Sequence, residues 1–197
     1  FGVLFHWRLY SVPGIVESWS ICSEDEDWIP RDKNVSYEDY KKWYWSLKDS
    51  LNPVNFNPEQ WADVMEDAGM KYMIFTTKHH DGFCMFDSKY TDFSITHGPF
   101  KNNSRRNVAL YVFEAFRKKG FMIGCYYEKE QHQDWWKNYQ TYTENQLNEL
   151  TSDYGALDIL WLDGGWVTGD DVNLDSVLEK ARQKHPGLIA VDRSIRG

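Results

Sequence analysis

Tyr72-Met73-Ile74-Phe75-Thr76-Thr77-Lys78-His79-His80-Asp81 is a largely apolar run that ends in a cluster of charged and imidazole side chains. Its apolar residues are continuous rather than alternating, the pattern of a strand buried on both faces of a parallel sheet. Four other runs read the same way: Gly2 to Trp7, Phe121 to Tyr127, Ile159 to Asp163 and Leu188 to Arg193. Helix signals stand between them. Asn57-Pro58-Glu59 opens a segment to about Ala68 with Gly69 behind it, Asn107 to Lys119 is closed by Gly120, Trp135 to Tyr154 is closed by Gly155, and Asn173 to Lys184 completes the set. Strand and helix alternate, so the fold class is α/β, with a doubly wound sheet or a (β/α)₈ barrel as its two forms. No Gly-x-Gly-x-x-Gly or Walker-type loop follows the first strand, which argues against a nucleotide cradle.

A closed barrel needs eight strands and typically about 250 residues, whereas this chain offers five strands in 197 residues. The expectation is a TIM-like (β/α)₈ barrel of which residues 1–197 supply the first five or so β/α units as one partial catalytic domain. Five strands alone would leave two open sheet edges, a hazard that proteins cover. Downstream sequence, or a second chain or oligomer, is expected to cover them. The first unit carries a long aromatic insertion, about residues 11–55, which exceeds the usual connection length and is a place for function. Phe1-Gly2-Val3-Leu4-Phe5 already reads as a strand, so the native amino terminus is expected upstream.

The net charge of -8 argues against nucleic acid as a partner, because displacing counterions from phosphates takes a basic surface. No apolar run approaches the roughly 20 residues that cross a bilayer, so no membrane span is expected. Cys22, Cys84 and Cys125 are too few and scattered for a disulfide framework or a zinc site, and read as small buried thiols. The acidic run Ser23-Glu24-Asp25-Glu26-Asp27 reads as a solvated loop. Aromatics reach 17%, with 10 Trp and 12 Tyr. Such rings either fill a large core or line a sugar cleft, where flat faces meet the C–H faces of a pyranose.

Barrel enzymes place their chemistry at the carboxyl ends of the strands. Those ends carry His6 and Trp7; Lys78, His79, His80 and Asp81; Tyr126, Tyr127 and Glu128; Trp161 and Asp163; and Asp192 and Arg193. A metal hydrolase would want histidines two apart on a strand or four apart on a helix. His79 and His80 are adjacent, and neighbours on a regular strand point to opposite faces, so both can meet one ligand only where the strand opens into a loop. A serine hydrolase would need Gly-x-Ser-x-Gly, which does not occur. Glycoside cleavage needs a carboxylate nucleophile or base, a carboxylic acid and donors for sugar hydroxyls, and most of that set is present without metal or cofactor.

The same residues stand in segments that resemble glycoside hydrolase family 29, the α-L-fucosidases. The resemblance runs from Phe5-His6-Trp7-Arg8-Leu9-Tyr10-Ser11 through Lys78-His79-His80-Asp81-Gly82-Phe83 to Trp161-Leu162-Asp163-Gly164-Gly165-Trp166. It implies a (β/α)₈-like barrel, often followed by a β-sandwich, and retaining exo-hydrolysis of terminal α-L-fucosyl linkages in oligosaccharides or glycoconjugates. It assigns Asp163 as nucleophile, and His6, His79, His80, Tyr126, Trp161 and Arg193 as sugar contacts. Glu17 and Trp19 match the family's Glu-Trp pair in the first long loop, with Asp27-Trp28 as a competing alignment. The stretch from Glu17 to Ile29 looks like the subgroup acting on α-1,3 and α-1,4 linkages, and the family implies a secreted, periplasmic or lysosomal setting. Arg8 departs from the family's Gly and is expected near the cleft mouth. Glu128 departs from its Ser and offers a substitute proton donor, because the family's acid/base Glu lies some ten or more residues past the Arg193 motif, beyond Gly197. A fucose-binding homologue with little hydrolytic activity is the alternative.

Overall fold

The computed structural model describes residues 1–22, 31–129, 138–165, 167 and 171–193. Five parallel strands, β1 (Gly2–Phe5), β2 (Tyr72–Lys78), β3 (Met122–Glu128), β4 (Ile159–Asp163) and β5 (Ile189–Asp192), form one sheet in sequential order. Helices α2 (Pro58–Asp67), α3 (Val108–Lys118), α4 (Tyr139–Asp153) and α5 (Leu174–Lys184) lie between successive strands. The α/β class and the five strands read from the sequence are present, with a helix between each successive pair. The segment Trp135 to Asn138 ahead of α4 falls largely outside the described residues.

Local chemistry explains the helix boundaries. Asn57 and Asn173 accept hydrogen bonds from the third backbone N–H of α2 and α5, and Pro58 occupies the first turn of α2, where no amide donor is needed. The long insertion holds a further helix, α1 (Tyr37–Ser46), which the strand and helix pattern does not reveal. Ser36 caps it by accepting from the Asp39 amide, and Glu38 and Asp39 complement its positive end. It buries Tyr40 and Tyr44, so part of the aromatic excess of the insertion is core.

The apparently continuous strands are two-faced. Met73, Phe75, Ile123, Cys125, Tyr127, Leu160 and Leu162 belong to the main core under the helices. Ile74, Tyr126, Ile159 and Trp161 form a separate cluster on the opposite face. Because that inner face is apolar as well, the period of two is masked in the sequence. Leu4 and Ile189 lie on it at the edge strands and are 41% and 51% exposed.

Gly124 in the middle of β3 lies against β2: a methyl group there would stand 2.6 Å from Ile74 Cγ1 and 2.8 Å from the Met73 carbonyl oxygen. Gly124→Ala is expected to force β2 and β3 apart and destabilise the fold by about 1–3 kcal/mol. Urea unfolding of the folded variant measures this.

A candidate sugar site at the carboxyl ends of the strands

The strand register decides which side chains meet. Glu128 pairs with Asp163 across β3 and β4, and Tyr126 pairs with Trp161, so Tyr126, Glu128 and Asp163 share the inner face. Between β2 and β3 the register shifts, with Thr76 opposite Tyr126 but Lys78 opposite Tyr127. This extra residue reverses the alternation. Lys78 turns to the helix side, its Nζ 4.3 Å from the centre of the Tyr127 ring, and His79 turns inward. The strand has ended before His80, so both histidines reach one pocket of about 320 Å³. That volume is at the small end of the range for small-molecule sites, about 300–1,000 Å³.

Asp163, the last residue of β4, is held from three sides. Its Oδ2 accepts from the Tyr126 hydroxyl at 2.9 Å and from Arg193 Nη1 at 3.0 Å, while Oδ1 accepts from the Gly164 amide at 3.0 Å. Burial, and after it the Glu128 and Asp163 carboxylates, push the Tyr126 phenol far up, so it remains a proton-bearing donor. The same hydroxyl lies 3.3 Å from Glu128 Oε2. It carries one proton for two carboxylates.

The imidazoles stand against Tyr126 and Glu128. His6 Nδ1 is 2.7 Å from Thr76 Oγ1, and the His6 ring stands edge-on to His79 and Tyr126 at 5.4 and 5.1 Å. His79 stacks on Tyr126 with 9° between planes, its Nδ1 bonded to Ser18 Oγ and its Nε2 3.8 Å from Glu17 Oε2. Glu17 adopts φ 45°, a backbone region costly for any residue but glycine, and this conformation leads into the turn Ser18–Ile21. Trp19 lies against His80 at 4.7 Å. His80 Nδ1 is 3.5 Å from Glu128 Oε2. His79, His80 and Glu128 each offer an atom within 4.8 Å of the others, so a divalent cation, were one to bind, has its natural place here.

Of the sequence candidates, His6, Glu17, Trp19, His79, His80 and Tyr126 line the pocket together with Glu128, Asp163 and Arg193. Trp161 does not. It packs beside Tyr126 on the inner face, below the pocket. Arg8 is a correction: it is fully buried and paired with Asp81 at 2.9 Å, rather than standing at the cleft mouth. The competing pair Asp27-Trp28, the rest of the acidic run and Trp166 lie outside the described residues. Thr76 and Ser18, which grip His6 and His79, were not singled out from the sequence. Thr76 could have been, since it stands two residues after Ile74 on the inner face. Lys129 is likewise unforeseen: fully buried, it pairs with Asp192, and its amide donates to the Asp163 carbonyl at 2.9 Å.

A parallel β/α sheet that gathers a braced carboxylate, a phenol, imidazoles and an indole into one sugar-sized pocket has the layout of a glycosidase-type barrel. A profile of the alpha-L-fucosidase family matches residues 1–197, and the chain belongs to that family. It is 32% identical over 124 residues to alpha-L-fucosidase 1 of Arabidopsis thaliana, a match covering 61% of this chain and 24% of that protein. Alpha-L-fucosidase isoenzyme 1 from Paenibacillus thiaminolyticus superposes with a TM-score of 0.78 at 30% identity, covering 96% of this chain and 47% of that one. The Thermotoga maritima alpha-fucosidase, solved with a mechanism based inhibitor, gives 0.76 at 29% identity, covering all of this chain and 52% of the other. The chain thus spans about half the length of these structural relatives, whose catalytic domain is a TIM barrel.

Burial, and after it the charges of His80 and Arg8, hold the His79 imidazole well below its ordinary 6.5. At pH 6.5 its ring nitrogens are therefore expected to show neutral-imidazole shifts in a ¹⁵N NMR titration, where an unperturbed ring is half protonated. The unfolded chain takes up that proton first, so His79 subtracts stability as pH falls through its unfolded pKa. A half-protonated His79 ring at pH 6.5 would contradict this.

Proposed function

We propose that residues 1–197 provide the nucleophile side of the active site of a retaining exo-α-L-fucosidase, and form the first five β/α units of a longer catalytic barrel. The observation that carries this reading is the bracing of Asp163. A carboxylate at a barrel-strand end, fixed by a phenol and a guanidinium and facing a sugar-sized pocket, is equipped to attack an anomeric carbon. One Asp163 oxygen forms the ester to C1 as the glycosidic C–O bond breaks and the leaving oxygen takes a proton. Water then attacks C1, giving its proton to the group that protonated the leaving oxygen, and Asp163 leaves as a carboxylate. Tyr126 and Arg193 hold that carboxylate oriented before attack and stabilise it as it is released.

The histidines and Trp19 suit a 6-deoxy sugar, with imidazoles exchanging hydrogen bonds with hydroxyls while aromatic faces meet the C–H surface. Glu128 is within the pocket, yet it shares a wall with Asp163, with the Tyr126 hydroxyl between them. A retaining pair needs the sugar between acid and nucleophile. We therefore assign the proton donor to a Glu further along the protein, as the resemblance implies. We further propose an α-1,3/1,4 preference, supported by the likeness of the Glu17 to Ile29 stretch to that subgroup.

In the full-length protein, Asp163→Ala is expected to reduce hydrolysis of nitrophenyl fucoside by at least about 10³-fold while fucose binding, read by calorimetry, persists. Hydrolysis surviving in Asp163→Ala would remove the proposed nucleophile, and a wild-type protein that binds fucose without cleaving any fucoside would favour a fucose-binding homologue. On mixed oligosaccharides, Lewis-type α-1,3 and α-1,4 fucose is expected to be released ahead of α-1,2 fucose. Release of α-1,2 fucose alone would sink the linkage assignment.

A further inference from the structure

Next in sequence to the pocket histidines lies a buried ion pair that none of the chemistry above uses. Arg8 and Asp81 are both 0% exposed, and Arg8 Nη2 donates to Asp81 Oδ1 at 2.9 Å. The same carboxylate gathers two further donors. The Phe83 amide reaches Oδ1 at 3.0 Å, and the Tyr44 hydroxyl reaches Oδ2 at 3.0 Å. Three separate pieces of chain therefore converge on Asp81: the loop after β1, the turn after β2, and α1 of the long insertion.

A buried ion pair is weak evidence for stability, because desolvating two charges offsets most of their attraction and apolar replacements are often as stable. What such a pair does supply is a fixed distance between the segments that carry it. Here those segments carry the sugar contacts. His6 is two residues before Arg8, while His79 and His80 immediately precede Asp81. The turn is closed by the Gly82 amide donating to the His79 carbonyl at 2.9 Å, with Gly82 at φ 73°. The backbone of Arg8 is fixed in turn, its amide 3.3 Å from Ser11 Oγ and its carbonyl accepting from the Ser11 amide at 3.0 Å. The pair therefore joins two short loops that are each braced internally, alongside the His6–His79 ring contact and the Ser18 bond to His79.

We propose that Arg8 is a positioning residue: its pairing with Asp81 latches the His79-His80 turn to the His6 loop and so sets the spacing of the imidazoles in the pocket. The proposal rests on reading that pocket as the sugar site. The field of Arg8 is consistent with its place, since it adds to burial in holding His6 and His79 below their ordinary range.

The test uses the full-length protein with three substitutions: Arg8→Met, which keeps bulk and loses charge; Arg8→Lys, which keeps charge; and Asp81→Asn, which keeps shape. Two quantities are read, the KM and kcat for nitrophenyl fucoside, and amide hydrogen exchange at Gly82 and Phe83 relative to α3. Arg8→Met is expected to raise KM at least tenfold with a smaller change in kcat, and to speed exchange at Gly82 and Phe83 at least tenfold while α3 is unchanged. Arg8→Lys is expected to recover most of both losses. A role in stability alone would lower the melting temperature and leave the KM of the folded enzyme as in the wild type. Should Arg8→Met fail to fold, Asp81→Asn carries the test, with at least a threefold change expected in both readouts. Wild-type KM and wild-type exchange in the folded variants overturn the latch. A wild-type protein that neither binds nor cleaves a fucoside overturns the sugar-site reading instead, and the exchange data then decide the latch without substrate.

Discussion

The Asp163 carboxylate is held from both neighbouring strands, by the Tyr126 hydroxyl of β3 and by Arg193 just past β5. That arrangement exists only if three parallel strands keep their register, because a slip of one residue would send Tyr126 or Asp163 under the helices. The helix-side residues enforce the register. Phe75, Cys125, Tyr127, Leu160 and Leu162 are fully buried in the main core, so turning any strand over would expose them and bury its polar partners. The site is therefore a consequence of core packing on the other face of the same sheet.

Buried charge in and around the pocket is the second constraint. Arg8, Lys78, Asp81, Glu128 and Lys129 are all essentially inaccessible, an unusual density for groups that are costly to bury. Arg8 pairs with Asp81 and Lys129 with Asp192, Lys78 lies over the Tyr127 ring, and Glu128 accepts from the Tyr126 hydroxyl. Burial pushes Lys78 down to about 7, with Cys84 and Glu128 the leading influences in the other direction. These groups hold the strand ends and the loops beyond them in one arrangement, which is what a site made from several separate loops requires.

Much of this was legible in the sequence, for identifiable reasons. Parallel strands are short and apolar and end abruptly, so the polar residues at His6, His79, Tyr126, Asp163 and Arg193 mark where the barrel mouth lies. Caps and glycines bounded α2, α3 and α5 to within a residue or so. The rest depended on distance. Arg8 reads locally as a cation beside a cleft, and only its partner 73 positions away makes it a buried one. Helix α1 was hidden in a loop whose aromatics suggested function. The bulge that turns His79 inward leaves no local signature either, since nothing in Thr76-Thr77-Lys78 marks an extra residue.

The proposed mechanism requires a covalent bond between an Asp163 oxygen and the sugar. A slow 2-fluoro fucosyl substrate, incubated with the full-length protein and followed by proteolysis and mass spectrometry, tests this directly. The expected result is a single 2-fluorofucosyl adduct on the peptide that contains Asp163. An adduct on the peptide carrying Glu128, or turnover of ordinary fucosides with no adduct anywhere, would contradict it.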